Sequence, residues 1–235
     1  MKDTEKTKSD ITEDLATLYL RLNGYFTTGF ILHSPQKGKI RAEIDSIAVR
    51  FPHSSERERG VGPDPFLRPS SSQIDVVLCE VKRGKSHLQF NEALRKESER
   101  FECVLRWIGL FTDAQIEQLA PQLLAALTPA PIASPLVPEV QVDEHVRIRG
   151  FLFSPERNNA SPRRTDPFFI GGDTIFNYAW RCLCPDAPRS TCATNYDYTR
   201  WGHLERIVRY FKVERKGLNP GTINDLYAFL ERTES

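Results

Sequence analysis

The sequence predicts an α/β fold, a three-layer α/β/α sandwich around a central mixed β-sheet. A helical period opens the chain, with Ile11, Leu15, Leu18, Tyr19 and Leu22 at three- and four-residue spacing. Two apolar, partly β-branched runs, residues 41–51 and 74–82, read as strands. Helical and strand-like segments then alternate, and that order covers both faces of one sheet with helices.

The first helix is expected over 12–23, closed by Asn23-Gly24, and a strand over 25–33. A turn at 34–38 leads into the second strand, 41–51. Residues 52–73 are rich in Ser, Pro, Gly and Arg and read as a mobile insertion projecting from the sheet edge. The third strand is 74–82, and 87–109 reads as a helix with Phe90, Ala93, Leu94, Phe101, Val104, Leu105 and Ile108 on its apolar stripe. Thr112 to Gln115 is a capping-box signature for another helix, which Pro121 is expected to kink or restart. Residues 128–138 form a Pro/Ala linker. The remainder, 139–235, holds strands at 146–153 and 168–170 and helices after Asp173, near 203–212 and at 222–232. This part is expected to complete, or pack on, the domain formed by 1–127.

Composition excludes little. At 235 residues, with 40% hydrophobic and 27% charged residues, the chain is long enough for one sizeable core. No apolar run approaches the ~20 residues of a membrane helix, and the polar start lacks a signal-peptide segment. Five cysteines, an odd number, suit a reducing compartment, so a cytoplasmic location is expected. A net charge of +1 argues against a uniformly basic nucleic-acid binder, but opposite local patches cancel in that sum.

The chemistry concentrates in residues 75–85, DVVLCEVKRGK. In a strand Glu80 and Lys82 share a face. Holding both charges beside Val76 and Leu78 is costly unless something compensates, and a divalent metal with a polar substrate does so. Asp75 has the opposite parity and alternates with Val77, Cys79 and Val81. Asp45, flanked by Ile44 and Ile47, can join Glu80 if the second and third strands pair. Carboxylate oxygens suit Mg²⁺, which keeps several waters and takes substrate phosphate as a further ligand.

In this order the residues resemble the PD-(D/E)xK nuclease superfamily, whose fold is restriction-endonuclease-like. Its pattern is a helical Glu, an Asp on the second strand and an (Asp/Glu)-x-Lys on the third, matched by Glu13, Asp45, Glu80 and Lys82. The stretch from Glu13 to Tyr25 looks like the opening of archaeal Holliday-junction resolvases. The resemblance covers roughly residues 10–110. Ile44 stands where many members have Pro, and the literal Pro63-Asp64 falls in the insertion.

The resemblance implies a Mg²⁺-dependent phosphodiesterase, with Mn²⁺ as a substitute, cutting DNA as an endonuclease in a restriction, mobile-element or phage-defence setting. Asp45, Glu80 and the Val81 carbonyl would hold the metal, Lys82 would orient the attacking water or balance charge, and Glu13 would hold a metal-bound water or second ion. A homodimer and partner proteins of a defence or recombination system are further implications. RNA is the alternative substrate for the same site, and a non-catalytic nucleic-acid- or protein-binding module is the alternative of another class.

Arg83, Lys85, Arg95 and Lys96 follow the motif and are candidates for phosphate contacts. Glu13 is equally read as a helix-capping partner of Asp10, and His87 as a helix-start residue rather than a proton shuttle. Cys182, Cys184, Cys192 and His203 lack a CxxC pair, so ordinary cysteines are favoured over zinc. An Asp173 N-cap is favoured over phosphate binding at Gly171-Gly172.

Overall fold

The sheet is built around a strand buried on both faces. In a computed structural model, which describes residues 8–34, 36–37, 39–55, 60–84, 88–128, 136–160, 166–184 and 198–233, the central strand is β3 (Ile74–Val81). β1 (Phe26–His33) and β2 (Ile40–Arg50) precede it, and β1–β2–β3 pair antiparallel in turn. β5 (Val146–Ser154) lies parallel to β3 on its other side. β4 (Glu139–Gln141) pairs antiparallel with β5, and β6 (Ile170–Gly171) pairs parallel with the end of β5. The described residues therefore form a mixed α/β fold with a six-stranded mixed sheet.

Each sheet face carries its own core. One contains Ala48, Val77, Cys79, Phe151 and Phe153, covered by α1 (Lys8–Leu22), α4 (Gly172–Leu183), α5 (Glu205–Arg209) and α6 (Ile223–Thr233). The other contains Ile47, Val76, Leu78, Ile148 and Leu152, covered by α2 (Ser98–Ile108) and α3 (Asp113–Leu127). The alternation of β3 drives this division: odd positions face α1 and even positions face α2 and α3. Leu15, Leu18 and Tyr19 of α1 are wholly buried, each contributing on the order of 2 kcal/mol through lost water contact.

Several expectations are corrected. Segment 60–73 does not project: Leu67 is fully buried, Phe66 stacks on Phe168, and Asp64 both caps the short 3₁₀ turn Pro65–Leu67 and accepts a bond from the Tyr19 hydroxyl. The helix expected from 87 begins at Ser98, because Asn91 Oδ1 takes the Ala93 amide and the Arg100 guanidinium bonds the Ala93 carbonyl. Pro121 sits inside an uninterrupted α3, with Pro121 and Glu117 on its wet face, so water can meet the carbonyl that Pro cannot.

The Thr112–Gln115 capping box forms as expected. β4 has no counterpart in the sequence reading, and only Val140 of its three residues is buried. Around the expected 203–212 helix, a 3₁₀ segment (Tyr198–Leu204), α5 and a π turn (Tyr210–Glu214) follow one another. Asp173 is not the N-cap of α4; its carboxylate accepts the amides of Asn159 and Ala160 at 2.7 and 3.1 Å. Of the expected linker, 129–135 lie outside the described residues.

Candidate active site at the ends of β2 and β3

A bulge delivers Asp45. Against β1, Thr28 faces Ile47 but Phe30 faces Ile44, so β2 spends one extra residue over this interval. Ile44 and Ile47, three residues apart, consequently enter the same core. Such a bulge re-aims a side chain that regular pleating would have placed elsewhere. The β2–β3 register runs from Arg50↔Asp75 to Ser46↔Cys79, and beyond it the Val81 amide donates to Asp45 Oδ2 at 2.6 Å. Asp45 is thus fastened to the strand that carries Glu80.

Glu80 and Lys82 meet as strand parity requires, Lys82 Nζ donating to Glu80 Oε1 at 2.6 Å. The Glu80 side chain is 5% exposed and that of Lys82 22%, so the pair sits at the rim of the core rather than in solvent. Among the described residues Glu80 Oε2 is buried without a hydrogen-bond partner. A desolvated carboxylate oxygen left open is costly unless a proton or a cation meets it.

The electrostatics follow. Burial first, and Asp45 second, push Glu80 up to about 7, against the pull of Lys82 and the Asn91 amide. Burial raises Asp45, opposed by the Val81 amide and Lys82. Glu13, half-buried on α1 and bonded by the Ser9 hydroxyl at 3.2 Å, is raised by burial and then by Asp45. Asp45 raises both Glu13 and Glu80, which sets it electrostatically close to each of them. Carboxylates that raise one another's pKa favour a proton or cation shared among them.

Among the described residues no three Asp, Glu, His or Cys side chains form a ready metal cage. The donor set is smaller: Asp45, Glu80 with its open oxygen, and the backbone at Val81. It suits a hard cation that completes its sphere with water and substrate oxygen.

The basic candidates divide. Arg83 Nε lies 3.5 Å from Glu156 Oε1. Arg95 Nε donates to the Phe90 carbonyl at 2.9 Å, holding the segment over Glu80, while Lys96 is exposed. Lys85 and His87 lie outside the described residues.

Among the described residues the remaining candidates do not gather. Cys182 is buried in the core, Cys184 Sγ donates to the Phe211 carbonyl at 2.9 Å, and the exposed His203 faces Asp14 at 3.7 Å; Cys192 lies outside the described residues.

Sequence reasoning missed two groups near the motif. The Asn91 amide faces Glu80, but a backbone donor leaves no compositional trace. Glu156 bonds the Gly84 amide, and its only signal was an acid just past the end of a strand parallel to β3. Comparison with known proteins finds no family model, no curated protein and no solved structure that matches the chain.

Proposed function

We propose that this chain is a Mg²⁺-dependent nuclease hydrolysing phosphodiester bonds of DNA, an endonuclease of restriction-endonuclease-like fold. The observation that carries the reading is Asp45 fastened to β3 beside Glu80 and Lys82, with one oxygen of Glu80 buried and, among the described residues, without a hydrogen-bond partner. The order of a helix, three antiparallel strands, helices and a strand parallel to β3 supports the fold assignment.

Asp45, Glu80 and the Val81 carbonyl are the groups that would hold Mg²⁺, or Mn²⁺ in its place. Two carboxylates suffice, because Mg²⁺ retains waters and accepts phosphate oxygens. When bound, the ion supplies Lewis acidity toward the phosphoryl group and acidifies a bound water. Lys82 keeps Glu80 oriented and presents its ammonium to charge developing on phosphate oxygens. Glu13, raised by burial and then by Asp45, would hold a metal-bound water or a second ion. The buried walls around Glu80 strengthen each of these interactions. A restriction, mobile-element or phage-defence setting, with homodimerisation or partner proteins, belongs to the same proposal.

The test is incubation of purified protein with single-stranded, duplex and branched DNA, and matched RNA, in Mg²⁺, Mn²⁺ or EDTA. DNA cleavage that EDTA abolishes is expected. Preferential RNA cleavage would replace the substrate, and binding without turnover would replace the enzyme by a binding module.

A further inference from the structure

We infer that Glu156 is a positioning residue for the Lys82 site, through which helix α6 holds the segment leaving the motif. This rests on the reading of Asp45, Glu80 and Lys82 as the active site.

Two residues after Lys82 the chain turns through Gly84, whose φ of +61° is left-handed. Both polar backbone atoms of Gly84 are claimed by consecutive side chains just beyond β5. Glu156 Oε2 accepts its amide at 2.5 Å, and Arg157 Nε donates to its carbonyl at 3.2 Å. Arg157 is itself anchored on Asp166 at 3.1 Å. The other oxygen of Glu156 accepts the Tyr227 hydroxyl of α6 at 3.0 Å and faces Arg83 Nε at 3.5 Å. The Lys8 ammonium of α1 lies 4.8 Å from the centre of the Tyr227 ring.

Lys82 therefore stands between two fixed points. Its own amide donates to the Phe153 carbonyl at 2.8 Å, and Gly84 is clamped from both sides. A strand end held only at Lys82 would let the following residues swing, and the ammonium with them. The clamp sets the exit direction of the chain, and with it the side chain that touches Glu80. Displacements of about 1 Å at such a group cost of order 10²-fold in rate. Glu156 touches no reacting atom in this reading and acts through Gly84 and Lys82. It also gives the carboxyl-terminal part of the chain a role in the site: α6 supplies the hydroxyl that holds Glu156 in place.

The test combines hydrogen–deuterium exchange over residues 80–84 with steady-state cleavage kinetics for wild type, Glu156→Ala, Glu156→Gln and Tyr227→Phe. Glu156→Ala is expected to speed exchange in that segment about tenfold while the centres of β3 and β5 stay protected. Its kcat is expected to fall tenfold or more with KM within twofold, with Glu156→Gln restoring most of the loss and Tyr227→Phe falling between. Unchanged local exchange, a kcat loss below twofold, or a loss carried entirely in KM would overturn the inference. So would equal loss of protection throughout the sheet in all three variants. If wild type cleaves nothing, the nuclease reading fails, and exchange alone decides whether the clamp exists.

Discussion

Glu80 is the residue at which structure and chemistry are most tightly joined. Burial, and then Asp45, push its carboxyl from 4.5 up to about 7, so the folded chain holds a proton that the unfolded chain has lost over that interval. Stability from this group is present below pH 4.5 and is lost as pH rises through 7. Glu80→Gln removes the dependence: urea melts without divalent cation should show the variant gaining on wild type between pH 5 and 8, by roughly 3 kcal/mol at most. Because a metal needs the carboxylate, Mn²⁺ affinity measured by calorimetry should rise with pH through the same interval in wild type and stay low in Glu80→Gln. Asp75 shows how far residue-level reading reached. Face parity sets it opposite Glu80, yet its partners there went unnoticed: Arg149 and Arg147, at register positions beside it on β5, and the Tyr25 hydroxyl at 2.6 Å. Two arginines on one face of an apolar strand need an acid, and that signal was present. Asp75→Asn leaves the buried Arg149 guanidinium and the half-buried one of Arg147 undercompensated and should cost roughly 3–5 kcal/mol in chemical denaturation.

At the scale of elements, strands and caps were legible where a local rule decides the outcome. β1, β2 and β3 fall within two residues of their expected bounds, and the Thr112 box opens α3. The errors arise where distant groups compete for the backbone. Residues 88–97 carry a helical apolar pattern, but Asn91, Arg95 and Arg100 divert its carbonyls and amides, and the Asn91 amide turns to Glu80 instead. The bulge at Asp45 was invisible because it is a relation between two strands, not a property of one. Segment 60–73 reads as loop by composition, yet Arg149 Nη1 bonds the Leu67 carbonyl at 2.6 Å and Arg50 Nη1 the Ser70 carbonyl at 3.1 Å. Leu67→Ala should therefore behave as a core truncation, lowering stability by roughly 2–4 kcal/mol in the same melts. A loss below about 0.5 kcal/mol would restore the view of a segment outside the core.

Over the whole molecule, the sheet sets the site at the edge of two cores. β3, buried along nearly its full length, ends where Glu80 and Lys82 leave the apolar interior. One core packs α1, which carries Glu13, the other packs Leu88, Phe90 and Leu94, and β2 fastens Asp45 to the end of β3. The carboxyl-terminal part was the least legible half, because α4, α5 and α6 are specified by burial against α1 and the sheet rather than by any motif. It closes one face of the fold and reaches the motif through Tyr227 and Glu156. The central claim is that Asp45, Glu80 and Lys82 act together in metal-dependent strand cleavage. The most direct measurement is the cleavage rate in Mg²⁺ of wild type against Lys82→Ala, with folding checked by circular dichroism. The expected result is a folded variant slower by about 10²-fold or more. A Lys82→Ala protein cleaving at the wild-type rate would contradict it.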